Sequence, residues 1–219
     1  MPIKFPKECR LSVFEEPRIE GTFPDLVLVV WNEAITRTWN PYRADLESED
    51  LKILQHLYLA GGATDYEVEK IFQSPPDAHL SRLCLAGLIR RRRGRSWLPH
   101  LSRNFAVRRI IAIEAKITDV RRGIEQASLN TWFADDSILL LPDQIKDQAV
   151  IQRASNFSVS IYSKRVGGCI SIATGAAKPL SYVSWQLNEW VWRFGKFREA
   201  QVEQDGLRNS MVECELSTP

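Results

Sequence analysis

The chain has 219 residues, 44% hydrophobic and 26% charged, which is an ordinary globular composition with room for one large or two small domains and a real core. A formal net charge of +2 excludes a global field that would by itself demand a nucleic-acid or membrane partner, so the local distribution of charge matters more. Four scattered cysteines without metal-type spacing, a charged N-terminus and the lack of an apolar run of roughly 20 residues lead us to expect a cytoplasmic chain with reduced thiols and no membrane contact.

In chain order, Cys9 to Glu15 alternates weakly and reads as a strand with Leu11 and Val13 on one face, ended by Pro17. Turn chemistry at Gly21-Thr22-Phe23-Pro24 precedes a stronger apolar run from Asp25 to Trp31, so the two segments read as a hairpin. Asp25 stands at the mouth of the second strand directly after a proline, where the commoner fate of the residue is to cap a turn. From Asn32 to Ala44 the chain turns polar, with Asn40-Pro41 as a break.

Asp45 or Ser48 then caps a helix with Leu51, Ile53, Leu54, Leu57 and Tyr58 at helical spacing, stopped by Gly61-Gly62. Thr64 opens a short second helix, with Glu67 three residues on as in a capping box and an apolar face of Tyr66, Val68, Ile71 and Phe72. Ser74-Pro75-Pro76-Asp77 turns into a third helix through Leu80, Leu83, Leu85 and Leu88, ending near Gly87 to Ile89. A basic hairpin follows, Arg90-Arg91-Arg92-Arg93-Gly94-Arg95-Ser96-Trp97-Leu98, with Gly94 at its turn.

Residues 45–99 resemble a winged helix-turn-helix. The resemblance is carried by Leu83-Cys84-Leu85-Ala86-Gly87-Leu88-Ile89-Arg90, the arginines, the glycine and Trp97. It implies that the third helix lies in a DNA major groove, offering Asp77, His79, Ser81 and Arg82. Arg90, Arg91, Arg92, Arg93 and Arg95 of the wing then form the plainest phosphate-binding patch in the chain. The plainer alternative is a small helical module for protein contacts with a solvated charge run.

After Pro99, Phe105 to Val107 leads into Ile110-Ile111-Ala112-Ile113-Glu114-Ala115-Lys116-Ile117, a β-branched run that reads as a buried strand. Alternation puts Glu114 and Lys116 on one side of it. Two such charges must pair, hold a metal or sit at a cleft, unless the strand is a surface edge with a plain salt bridge. Asp119 caps a helix reading Val120, Ile124, Ala127, Leu129 and Trp132-Phe133. Ser137 to Leu141 is a buried strand, Gln144 to Ala154 a helix, and Ser158 to Tyr162 and Cys169 to Ala173 the last strands, with Gly167-Gly168 as their hairpin turn. Ser184 to Phe197, with Trp185, Trp190 and Trp192, is expected to be a helix packing on the core, and the tail beyond Gln204 to be frayed. His56, His79 and His100 lack metal-ligand spacing, and neither glycine pair has the context of a phosphate loop.

Pro24-Asp25 opening one strand, Glu114-x-Lys116 in the next, and then an amphipathic helix and a buried strand together resemble the PD-(D/E)XK nuclease superfamily. The likeness covers about residues 8–44 and 100–175. It implies an α/β (α+β) restriction-endonuclease-like fold, a mixed central sheet flanked by helices, with the winged-helix domain inserted. The expected units are 1–44 and 100–180 for the core, 45–99 for the insertion and 181–219 for the C-terminal helix and tail. The resemblance implies that Asp25 and Glu114 bind Mg²⁺ (or Mn²⁺), that Lys116 positions or helps deprotonate a water, and that Gln126 joins the site. The family's first-helix acid has little room ahead of Asp25, so Glu8, Glu15 or Glu16 is expected to stand in for it, with Glu15 or Glu16 first because they lie closest to the motif. The Gln-x-x-x-Tyr pattern of some branches is here Gln126-x-x-x-Asn130. The implied activity is metal-dependent hydrolysis of phosphodiester bonds in double-stranded DNA. A homodimer is expected for double-strand cleavage, and the Trp-rich helix is a candidate interface beside its plainer role in packing. The alternatives are a DNA-binding transcriptional regulator with a catalytically inactive nuclease-like core, and an interaction protein.

Overall fold

In the computed structural model, residues 3–4, 6–72, 76–93, 95–163, 170–171 and 178–195 are described. The first half forms β1 (Ile3–Lys4), β2 (Cys9–Glu15), β3 (Leu26–Asn32), α1 (Glu33–Thr36), a 3-10 turn (Pro41–Asp45), α2 (Ser48–Ala60), β4 (Ala63–Thr64), α3 (Asp65–Phe72), α4 (Pro76–Leu85), β5 (Arg90–Arg92) and β6 (Arg95–Trp97). The second half forms α5 (Leu101–Asn104), β7 (Val107–Ala115), α6 (Val120–Ser128), β8 (Asp136–Leu141), α7 (Gln148–Asn156), β9 (Val159–Ser163), β10 (Ile170–Ser171) and α8 (182–195).

The centre is a mixed five-stranded sheet, order β2-β3-β7-β8-β9, flanked by helices. The expected hairpin is present, with Cys9 opposite Asn32 and Glu15 opposite Leu26. β3 also pairs antiparallel with β7, while β7–β8 and β8–β9 are parallel. Parallel neighbours need a crossover, and α6 and α7 supply them. Among the described residues, Ile170–Ser171 pair with Ile3–Lys4 rather than with β9. Gly167-Gly168, Gly94 and the tail beyond Gln204 lie outside the described residues.

Some boundaries differ from the sequence expectation. Glu47 and Asp50 form the capping box of α2, in place of a cap by Asp45 or Ser48. Thr64 and Glu67 cap α3 reciprocally, as expected. The expected apolar face of α3 is wrong, because Tyr66 is 70% exposed and Ile71 also faces solvent, leaving Val68 and Phe72 against the core. Residues two apart on a helix stand about 200° apart, so Tyr66 cannot share a face with Val68. Leu85, two residues after buried Leu83, is exposed for the same reason. α6 ends at Ser128, and Trp132-Phe133 lie in the turns that follow. α7 starts only at Gln148, where Asp147 accepts a hydrogen bond from the Ala149 amide.

One hydrophobic cluster joins Phe14, Val27, Val29, Trp31, Ile110 and Ala112 of the sheet to Leu51, Leu54, Leu57, Leu80 and Leu83 of the helical module. α8 is the wedge between them. Trp185 donates from Nε1 to Gln55 Oε1 at 2.9 Å and meets the rings of Phe105 and Tyr58 edge-on. Glu189 of α8 accepts from Arg43 Nε at 2.9 Å, a fully buried pair with the guanidinium 3.6 Å from the Trp39 ring centroid. Trp185 and Trp192 are thus spent inside the chain, as expected of a packing helix, and are not offered to a partner. Among the described residues no helix is long and apolar enough to cross a membrane, and Cys9 and Cys84 are free thiols.

Candidate functional site

Leu26 pairs with Ile113 at the start of β3, so the next residue of the register sets Asp25 opposite Glu114. Both then share the face of Val27 and Ala112, which is the face α6 covers. The Ala115 amide donates to Asp25 Oδ2 at 2.6 Å and holds the aspartate against the end of β7.

Lys116 lies one residue past the strand, but its amide still donates to the Leu140 carbonyl at 3.0 Å, extending the ladder. Alternation therefore returns its side chain to the Glu114 side. Lys116 Nζ stands 3.6 Å from Glu114 Oε2 and 3.8 Å from Asp25 Oδ2. The stem of Lys116 lies on α6 where residue 123 is glycine. A Cβ there would come within 2.9 Å of Lys116 Cγ and 2.7 Å of Leu139 Cδ1.

Glu114 is only 3% exposed, and Asn130 Nδ2 donates to its Oε1 at 3.1 Å. Burial, reinforced by the Asp25 charge, pushes the Glu114 carboxyl above the usual range, although the Asn130 hydrogen bond and Lys116 pull the other way. Two carboxylates share one ammonium, and the cluster is one positive charge short.

Gln126 stands three residues from Gly123 and four from Asn130, on one side of α6 and the turn after it. Gln126 Oε1 and Asn130 Oδ1 are both buried without a hydrogen-bond partner. Orphaned acceptors of this kind are rare and costly in folded proteins. Among the described residues no three His, Cys, Asp or Glu side chains gather as a metal cage. Two carboxylates with orphaned amide oxygens nearby do suit a hard cation that takes few protein ligands and keeps its waters.

Of the expected site residues, Asp25, Glu114 and Lys116 meet, and Gln126 occupies the adjoining helix face. Glu15 does not join them, because it is opposite Leu26 and so projects from the other face of the sheet. The Glu16 amide donates to the Asp25 carbonyl at 3.0 Å, but its side chain is exposed and enters no ion pair with the cluster. Asn130 was missed as a site residue. The sequence shows it only where the resemblance has tyrosine, and its contact with Glu114 exists only after α6 has packed on β7.

The expected nucleic-acid residues divide into two groups. His79, Arg82 and Arg91 are engaged within the chain, the first two by Asp50 and the third by Asp65 and Asp77. Arg90, Arg92, Arg93 and Arg95 are exposed and have no ion pair among the described residues. Comparison of the chain with known protein families, with curated proteins and with solved structures finds no match to any of the three.

Proposed function

We propose that this chain is a metal-dependent phosphodiesterase acting on DNA, with a restriction-endonuclease-like core and an inserted winged-helix module. The observation that carries the reading is the meeting of Asp25, Glu114 and Lys116 in one cluster, with Nζ 3.6 and 3.8 Å from the two carboxylates. The order helix, strand, helix, helix, strand, strand and the small antiparallel sheet β4-β6-β5 support the winged-helix assignment.

Asp25 and Glu114 would hold the cation, with Gln126 and Asn130 oxygens accepting from its waters. A bound divalent cation such as Mg²⁺ or Mn²⁺ neutralises charge on the scissile phosphate and makes a coordinated water more acidic. Lys116 stands where it can orient the attacking water and donate to a phosphate oxygen as negative charge builds on it. Asn130 fixes the rotamer of Glu114 through Oε1, which leaves Oε2 on the Lys116 side. Burial favours the protonated carboxyl, so a cation bound there would displace that proton and supply the charge that keeps Glu114 ionised.

A second reading is a DNA-binding regulator whose core has lost catalysis. It is favoured by one observation, that Glu15 and Glu16 add no third carboxylate to the cluster.

The test is cleavage of supercoiled and linear duplex DNA with Mg²⁺ or Mn²⁺, wild type beside Lys116→Ala and Asp25→Asn. Loss of at least about a hundredfold in rate in both variants, with DNA affinity retained, is the expected result. No cutting by any of the proteins, with salt-sensitive duplex binding intact, would select the regulator. Equal cutting by all three would mean the centre lies elsewhere.

A further inference from the structure

The third helix of the module has little to read a base with. Arg82 of α4 turns back onto α2, donating from Nε to Asp50 Oδ2 at 2.9 Å and from Nη2 to Asp50 Oδ1 at 3.0 Å and Glu47 Oε2 at 3.1 Å. His79 Nδ1 lies 2.8 Å from the same Asp50 Oδ1. Asp50 is 0% exposed, so an Arg82 that swung toward DNA would abandon a buried carboxylate. What α4 shows to solvent is Asp77, Ala78, Ser81 and Leu85, a set with one carboxylate and no cation.

The hairpin is built the other way round. The register sets Arg91 opposite Ser96, Arg90 opposite Trp97 and Arg92 opposite Arg95. Ser96 is buried, and Arg91 reaches Asp65 Oδ2 at 2.8 Å and Asp77 Oδ1 at 3.1 Å, so this is the inner face and Arg91 ties the hairpin to α3 and α4. Alternation sends Arg90, Arg92, Arg95 and Trp97 to the outer face, and Arg93 holds the turn with φ 45°. Four arginines without an ion pair among the described residues thus share one exposed rim, beside an exposed tryptophan.

We infer that the module engages duplex DNA through the β5–β6 hairpin alone, by phosphate contacts from Arg90, Arg92, Arg93 and Arg95, and therefore without preference for base sequence. Arg82 and His79 lock α4 onto α2 and read nothing. Phosphates position a protein on DNA but carry no direct sequence information, so a protein bound only to them slides and samples. The inference rests on the DNA-binding reading above and replaces the major-groove role that the winged-helix resemblance gives to α4.

The experiment is fluorescence anisotropy of the full chain with several unrelated 20-base-pair duplexes, titrated with salt in the presence of EDTA. Expected are affinities within about threefold across sequences. Changing Arg90, Arg92, Arg93 and Arg95 together to Gln is expected to flatten the logarithmic salt slope by about 3 to 4, at roughly 0.9 per phosphate contact. The same four changed to Lys keep binding within a few-fold, because counterion release follows the charge, which Lys carries to a phosphate as a point charge. The Lys variant also shows that replacing the rim does not unfold the hairpin. Ser81→Ala is expected to bind as wild type. A tenfold or greater sequence preference, or a loss on Ser81→Ala, would put α4 at the bases and overturn the inference while leaving DNA binding in place. Binding unchanged by the four Gln substitutions would also overturn it. Absence of any salt-sensitive binding by the wild type would overturn both the inference and the DNA-binding reading.

Discussion

Asp25 and Glu114 face each other across β3 and β7, one residue beyond the last ladder pair, Leu26 and Ile113. Such cross-strand neighbours have Cβ atoms about 4.5–5.5 Å apart, and like charges so placed repel. The sheet tolerates the pair because Lys116 sits against both carboxylates and Asn130 satisfies one Glu114 oxygen. Stability is given up locally to hold the two carboxylates together.

Glu114 sets a pH dependence. Its carboxyl titrates above its unfolded-state value because of burial, so the fold favours the protonated form. The stability this group contributes is full below the unfolded value, about 4.3, and is lost as pH rises through the higher folded value. Glu114→Gln should therefore match wild type near pH 4 and melt at a higher temperature toward neutrality, by about 2–4 °C per kcal/mol for a chain of this size. Mg²⁺ should narrow that gap by stabilising the wild type. Calorimetric scans from pH 4 to 7.5 measure it, and a gap that shrinks as pH rises would mean that burial does not govern this carboxyl.

Asn130→Ala removes the donor to Glu114 Oε1 and leaves a buried carboxylate short of one bond. A loss of about 1–3 kcal/mol in urea unfolding is expected. Asn130→Asp should shift the Glu114 transition further upward, through a second like charge. A change below about 0.5 kcal/mol in the alanine variant would show that water replaces the amide without cost.

Gly123→Ala sets two effects against each other. Alanine is the better helix former by about 0.8–1 kcal/mol, yet its Cβ would come within 2.9 Å of Lys116 Cγ and 2.7 Å of Leu139 Cδ1. Overpacking of this kind costs about 1–3 kcal/mol, so the variant should be modestly less stable. Cleavage should fall by more than stability explains, because the added Cβ presses on the Lys116 stem as well as on Leu139. A stabilised and fully active Gly123→Ala would show that the stem of Lys116 does not need this surface.

Arg43→Met leaves Glu189 buried without its partner and should cost about 3–5 kcal/mol in guanidinium unfolding. Arg43→Met with Glu189→Leu should recover most of that loss, since two apolar groups can pack where two charges paired. Equal losses in the single and double variants would mean that the guanidinium stacked over Trp39, rather than the ion pair, holds α8 in place.

Much of the local structure was legible in the sequence. The alternation Glu114-x-Lys116, the caps at Thr64 and Asp119 and the stop at Gly61 each depend on neighbours within a few residues, and each appears where the pattern puts it. The tryptophan-rich stripe of α8 also packs on the core, because helical period alone says which side is apolar.

What the sequence by itself determined, then, is the longer strands and helices, though not all their boundaries, and which charged residues stand on apolar segments. Only the tertiary structure decided which of them meet. Asp25 reaches Glu114 through a strand register across the helices that lie between them in the chain, Glu15 is lost to the other face by the period of two, and Asn130 becomes a partner of Glu114 because α6 packs on β7. Arg82 likewise becomes a tie to Asp50 only when α4 settles on α2. The physical reason is the same throughout. Dihedral preference and amphipathic period act over a turn or a few residues, whereas a contact between distant segments is set by the packing of the whole core, which no short stretch of chain encodes.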